Sequence, residues 1–291
     1  MKKKKIKWFD IGLAIFLLVL AMITLYPFYN VLIVSGANTI ATAKHTPYLL
    51  PYVWDWTGYK TILSDAAFFK SLFVTLFVTI VGTLINMFLS VTGAYALSRK
   101  ELLGRKYILG AIIFTMLFSG GLVPNYLVIK KLNLINSIWV MILPTAISTY
   151  YLIIMKNYFL TLPDSLIEAA RIDGANEITI LIKVIIPISL PFMATFALFY
   201  AVERWNEWYN SMIYINESSL RPMQIYLREV LVNMNSQLSA MAQQMMGKTQ
   251  KVFNSSIQMA TIVITTLPIL CVYPFVQKHF VKGIMIGGIK E

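Results

Sequence analysis

Charge is what this sequence lacks most. Only 13% of its 291 residues are charged, while 58% are hydrophobic; a soluble chain carries about 25% charged residues. Length alone allows one or two soluble domains, but the polar surface to clothe them is missing. Cysteine occurs once, as Cys271, which excludes an intrachain disulfide. The two histidines, His45 and His279, lie far apart with no thiol or acidic neighbours at metal-ligand spacing, so no metal site is expected. No serine–histidine–acid set points to an intramembrane enzyme. One fragment, Gly247-Lys248-Thr249, resembles a phosphate-binding loop, but Ala242 stands where the first glycine belongs and no strand precedes it. Acidic residues are also scarce, leaving a net charge of +12. The basic residues border long apolar runs and form no stripe with interleaved aromatics, which argues against nucleic acid as a partner.

Apolar runs are what the sequence has instead, with a mean hydropathy of +0.68. A helix of about 20 residues crosses a hydrocarbon core of ~30 Å. Six segments suit that length: Ile11–Val34, Phe69–Leu97, Tyr107–Val123, Ile138–Tyr158, Ile188–Ile215 and Ile257–Phe280. The expected fold is an all-α membrane protein with six transmembrane helices. The start, MKKKKIKWFD, resembles a secretory signal, and Ser35-Gly36-Ala37 resembles a cleavage site. The apolar stretch between them outruns the ~7–15 residues of a signal core, so an uncleaved first helix is expected. Of 25 lysines and arginines, fifteen fall in 2–7, 98–107, 156–183 and 278–290, nine fall in or at the edge of the alternate loops, and Arg204 lies well within a span. Positive residues stay inside, which puts both termini in the cytoplasm. The division is then a tail at 1–10, a membrane domain at 11–280 and a tail at 281–291.

The outer loops differ in character. Residues 36–68 carry Pro47, Tyr48, Pro51, Tyr52, Trp54 and Trp56, a composition that suits an aromatic belt. Residues 216–256 are polar and methionine-rich, with one or two helices expected over Gln224–Gln244. They suit a docking surface or lid, and equally a solvated connector. No repeat with matching broken helices is visible.

The loop at 163–187 is the most informative. Ser165-Leu166-Ile167-Glu168 matches a capping box, with serine as N-cap. Leu166, Ala169 and Ala170 then share a helical face with small side chains, and Gly174 suits a left-handed stop. Asn176 suits a second N-cap. Ile178, Leu181, Ile182, Ile185 and Ile186 recur at helical period up to Pro187. The pattern is a helix–glycine–helix elbow, one arm short and charged, the other amphipathic and interfacial. An ordinary amphipathic loop would also fit these residues.

Glu168-Ala169-Ala170, three residues, Gly174, nine residues, Val184, one residue and Ile186-Pro187 resemble the EAA loop of ABC importer permeases, with Val184 and Ile186 as conservative departures. The run FLTLPDSLIEAARIDGANEITILIKVIIPISLP resembles the carbohydrate-importing branch, as do VPNYLVIKKLNLINS, RWNEWYNSMIYI and the terminal FVKGIMIGGIKE. The resemblance implies a type I importer permease fold with a cytoplasmic coupling helix. It implies a second permease as heterodimer partner, an ATPase dimer that binds ATP and Mg, an extracellular solute-binding protein and a carbohydrate substrate, with no cofactor on this chain. Leu166, Glu168, Ala169, Ala170, Arg171, Asp173 and Gly174 would be the contacts with the ATPase, Arg171 pairing with one of its acidic residues. An amino-acid or peptide permease, or an ion-coupled carrier, is the alternative.

Span five holds Glu203, Arg204, Trp205, Asn206, Glu207 and Trp208. At 1.5 Å per residue, Glu203 lies about 18 Å beyond Pro191, inside the core. Charges there are costly and often functional. On one helix Glu203 and Glu207 share a face, and Arg204 reaches Glu207. Glu203, Trp205, Asn206 and Glu207 could line a sugar path, or the group could be an interfacial belt with an ion pair.

Overall fold

The computed structural model describes residues 8–38, 50, 53–241 and 255–271. Among them the backbone is helical almost throughout, with a single isolated bridge between Ala37 and Trp54. The helices are α1 (Trp8–Ser35), α2 (Thr57–Leu63), α3 (Ala66–Ser98), α4 (Arg105–Leu117), α5 (Leu122–Lys131), α6 (Thr149–Leu160), α7 (Asp164–Ile172), α8 (Glu177–Ile188), α9 (Leu190–Trp205), α10 (Tyr209–Tyr214), α11 (Met223–Met241) and α12 (Ser255–Cys271). Two 3-10 turns, Ile138–Met141 and Leu143–Thr145, precede α6.

The expected straight spans are only partly what the chain builds. Two helices are long and apolar enough to cross a membrane alone, Ile11–Ser35 and Ala66–Ser98. Three more candidates exist only if a bent pair is one span: α4 with α5 at 119°, the 3-10 turns with α6 at 47°, and α8 with α9 and α10 at 89°. The breaks have local causes. Gly121, with φ +82°, opens the corner before α5, Pro144 sits in the second 3-10 turn, and Pro187 and Pro191 flank the turn from α8 into α9. Proline removes a donor and crowds the preceding turn, whereas averaged hydropathy is blind to such interruptions. The sixth segment is seen as α12, 255–271. Its remainder lies outside the described residues, as do 1–7 and 281–291, His45, His279 and Gly247-Lys248-Thr249.

The chain separates into two compact units, Met1–Phe68 with Tyr226–Pro268, and Phe69–Ile225 with Ile269–Glu291. In the first, the Ala37–Trp54 bridge closes the loop after α1. Trp54 and Trp56 stack with centroids 5.7 Å apart, and just before α2 the Asp55 carboxylate accepts from the Thr57 N–H at 2.9 Å. Ser35 Oγ meets the Tyr59 hydroxyl at 2.7 Å, and the Ser256 hydroxyl donates to the Ser35 carbonyl at 3.2 Å. Most of α1 is exposed and apolar.

The second unit is organised on α3. Ser71, Thr75, Thr79 and Thr83 recur every four residues, and Gly82, Asn86 and Ser90 follow the same spacing. At 3.6 residues per turn the two rows merge into one polar stripe, on which Ser71, Thr75, Asn86 and Ser90 are buried. The Thr75 hydroxyl accepts from the Met223 N–H at 2.7 Å, and Ser90 Oγ lies 2.7 Å from Tyr200 Oη. At one end of α3, Val74 and Val78 pack with Val140, Met141, Ile142, Tyr214 and Ile215. At the other, Val91, Ala94, Tyr95 and Leu97 pack with α6, Ile167 of α7 and Ile180, Leu181 and Ile185 of α8.

Candidate functional site

The elbow forms much as its letters suggest, with a different start. Helix α7 begins at Asp164, with Pro163 as N-cap and no side-chain cap bond. The capping box through Ser165 is therefore absent. Pro163 holds φ at −60°, and Asp164 in the first turn answers the positive end of the helix dipole directly. Gly174 ends the helix as expected, at φ +81°. Its N–H donates to the Arg171 carbonyl at 3.0 Å, and the Ala175 N–H donates to the Ala170 carbonyl at 2.9 Å. These paired bonds satisfy the last carbonyls of the helix. Asn176 caps α8, its side chain accepting from the Thr179 N–H at 2.8 Å.

The faces of the elbow differ from expectation. Ile167 is buried and Ala170 half-buried against the apolar cluster, so Ala170 turns inward. Leu166, Glu168, Ala169, Ile172, Asp173 and Gly174 remain exposed. In α8, residues Leu181–Ile185 form a π turn. Its extra residue breaks the simple helical period: Ile180, Leu181 and Ile185 are buried, while Ile178 and Ile182 are exposed. Pro187 follows at once, and its ring would press on the carbonyl of Lys183, within the widened turn.

Arg171 finds its acids within its own chain. Its Nε and Nη2 donate to Glu177 Oε1 at 3.0 and 2.8 Å, and its Nη1 to Glu101 Oε1 at 3.4 Å. The other Glu177 oxygen accepts from the Tyr95 hydroxyl at 2.6 Å. The Tyr95 hydroxyl, and then Arg171, hold the Glu177 carboxyl below the usual glutamate range against the opposing effect of burial. Lys100 and Asp164 lie 3.6 Å apart on the exposed side.

The polar group of the fifth segment is also rearranged. Helix α9 ends at Trp205, and α10 starts only at Tyr209. Glu203 and Glu207 thus share no helix face, and Arg204 makes no bond to Glu207. Glu207 instead accepts from the Asn210 N–H at 2.8 Å and from the Asn210 amide at 3.2 Å. Trp205 is turned inward, with its indole N–H unpartnered, so its flat face is not presented to a path. Glu203 is exposed and accepts from the Tyr151 hydroxyl at 2.6 Å. Tyr151 stacks on Phe199, with centroids 5.8 Å apart. Asn206 is exposed, donating to the Val202 carbonyl at 2.8 Å and accepting from Gln224 at 3.2 Å.

Arg204 is the residue whose partners sequence reasoning missed. It is 4% exposed and spends every N–H on oxygen. Nε donates to Asn86 Oδ1 at 3.0 Å. Nη1 donates to the Met141 carbonyl and to Thr145 Oγ1 at 2.7 Å. Nη2 donates to the carbonyls of Ile142 at 3.3 Å and Thr145 at 2.6 Å. Asn86 in turn donates to the Thr145 and Ala146 carbonyls at 3.0 and 2.9 Å. The guanidinium therefore pins the 3-10 turns before α6 to α3. Gly82 makes the room, since a Cβ there would lie 2.9 Å from Arg204 Cδ. The four-residue repeat of small and polar residues in α3 was the available signal for this seam.

Comparison with known proteins assigns the whole chain. No family model matches it. It is 42% identical to the polygalacturonan/rhamnogalacturonan transport system permease protein YtcP of Bacillus subtilis (strain 168), over 98% of this chain and 99% of that protein. It is also 42% identical to protein LplC of the same organism, over 97% of this chain and 95% of that one. Among solved structures, a chain of a bacterial ABC transporter involved in import of the acidic polysaccharide alginate superposes with a TM-score of 0.85 at 31% identity, over 96% of this chain and 99% of that one. Identity of this extent over nearly the full length of both proteins leaves one conclusion: the chain belongs to the permease family of carbohydrate-uptake ABC transporters.

Proposed function

We propose that this permease carries an oligosaccharide across a bacterial plasma membrane, with its stroke delivered at the elbow. Six spans, both termini in the cytoplasm and α7 as the coupling helix complete the reading. The partners are a second permease, an ATPase dimer holding ATP and Mg, and an extracellular solute-binding protein. The observation that carries it is the exposed outer face of α7. Leu166, Glu168, Ala169, Asp173 and Gly174 stand free of the packing that holds Ile167 and Ala170, as a surface made to enter another protein must. Transport names in the relatives support the carbohydrate class.

On the membrane path, the reading rests on Glu203, with Asn206 beside the break between α9 and α10. An exposed carboxylate inside a spanning segment must face water or protein, because lipid would make it too costly. Glu203 with Tyr151 offers a carboxylate and an aromatic ring to sugar hydroxyls and C–H faces, the usual make-up of a pocket that orients a polar ligand.

The test is purification of the chain co-expressed with candidate partners, followed by uptake of uronic-acid and neutral oligosaccharides in vesicles. Recovery of an ATPase and a second permease is expected. Gly174→Pro should abolish uptake while the protein stays in the membrane, because proline cannot take φ +81°. Glu203→Gln should weaken substrate-stimulated ATP hydrolysis and leave assembly intact. Normal uptake by Gly174→Pro sinks the coupling role, and unchanged stimulation in Glu203→Gln sinks the path assignment.

A further inference from the structure

The elbow is joined to the rest of the permease in two ways, and only one of them follows the chain. Along the chain, α7 leads through Gly174 to α8 and on to α9. Across space, α7 touches α3 through side chains. Ile167 and Arg171 are four residues apart and so lie on one face of α7. Ile167 enters the apolar cluster that contains Tyr95. Arg171 grips one oxygen of Glu177 with two donors at 3.0 and 2.8 Å, and the second oxygen receives the Tyr95 hydroxyl at 2.6 Å.

The α3 end of this link is stiff. Tyr95 is 5% exposed. Its ring meets Phe159 of α6 edge-on at 6.5 Å, and the Arg99 guanidinium lies 4.8 Å over its centroid. The loop after α3 adds two further ties to α7, Glu101 to Arg171 at 3.4 Å and Lys100 to Asp164 at 3.6 Å, one toward each end of the short helix. Nine residues from Tyr95 along the same rigid helix stands Asn86, which receives the Arg204 N–H and holds the broken segment before α6. A displacement of α7 that keeps these bonds must carry α3 with it.

We propose that Tyr95 is a positioning residue for transport: through Glu177 it passes the movement of the coupling helix directly into α3, in parallel with the route along the chain into α9. This rests on the coupling role of α7 given above. The geometry shows two of the properties such a link needs. The bonds are charge-assisted and short, and each partner comes from a different helix, so no local turn can substitute for them.

The test uses the full transporter in lipid nanodiscs and proteoliposomes, with ATP hydrolysed and sugar moved measured together. Tyr95→Phe keeps the ring against Phe159 and removes only the hydroxyl. The expected result is a loss of roughly tenfold in sugar moved per ATP, with the same yield of co-purified ATPase and the same melting temperature as wild type. Glu177→Gln should behave likewise, and the double variant should be no worse than the poorer single one. A wild-type ratio in Tyr95→Phe overturns the proposal, and so does a double variant whose loss is the product of the two. A melting temperature that falls in step with the ratio also counts against it, since packing alone would explain that. If the wild-type chain recovers no ATPase at all, the coupling role itself has failed, an outcome separate from the behaviour of Tyr95.

Discussion

Arg171 and Arg204 solve the same problem in opposite ways. Arg171 is 40% exposed and paired with two carboxylates; Arg204 is 4% exposed and held by backbone and side-chain oxygens with no carboxylate among its bonds. In water an ion pair is screened and contributes little to folding stability, so its loss changes that stability little. In a buried site the partners of a charge cannot be replaced by solvent, and losing one leaves several polar groups unsatisfied. The first arrangement suits a surface link that adds little to stability and can travel as a unit with the helices it joins, the second a seam that must not open.

Substitutions can break this comparison. Arg204→Ala should have the largest effect, a loss of about 3 kcal/mol or more, because Asn86 and four further oxygens lose their donor. Thermal unfolding of the purified protein in detergent reads it. Arg204→Lys, with three donors in place of five, should fall between the two. Gly82→Ala comes next, at about 1–3 kcal/mol by overpacking, since its Cβ would sit 2.9 Å from Arg204 Cδ. Arg171→Ala should leave the melting temperature unchanged and still reduce sugar uptake. If Arg171→Ala destabilised as strongly as Arg204→Ala, the distinction between moving pair and fixed seam would be lost.

Local chemistry made some of this legible from the letters. Gly174 and Asn176 could be placed because a left-handed stop and an N-cap depend on one side chain and its immediate backbone. The start of α7 was less so: Asp164 and Ser165 both suit a first turn, and Pro163 decided between them. The polar stripe of α3 lay in plain view at its four-residue spacing, hidden by the apolar residues that dominate any averaged window. The α3 side of the Arg204 seam could have been read from that stripe, but not its other partners. These are mostly backbone carbonyls some sixty residues away in sequence, and a carbonyl carries no letter. The expected pairing with Glu207 failed for a related reason, since helical spacing means nothing once the helix has ended at Trp205. Membrane crossing was legible as composition, while the corners at Gly121 and Pro144 were not.

The π turn at Leu181–Ile185 sets a phase. It amounts to one residue more than a regular helix would use, and one residue of helix is about 100° of rotation. The wide turn absorbs that residue, so the two ends of α8 stay in phase; a residue deleted from the regular turns on either side would instead swing everything before it, α7 included, by that angle about the axis of α8. Ile167 and Arg171 would leave their seats and Leu166 and Ala169 would face elsewhere, though no residue of α7 had changed. The orientation of the elbow is thus written in the length of α8, so that a one-residue deletion outside Leu181–Ile185 is a harsher event than one within the π turn, and harsher than most substitutions on the exposed face of α7.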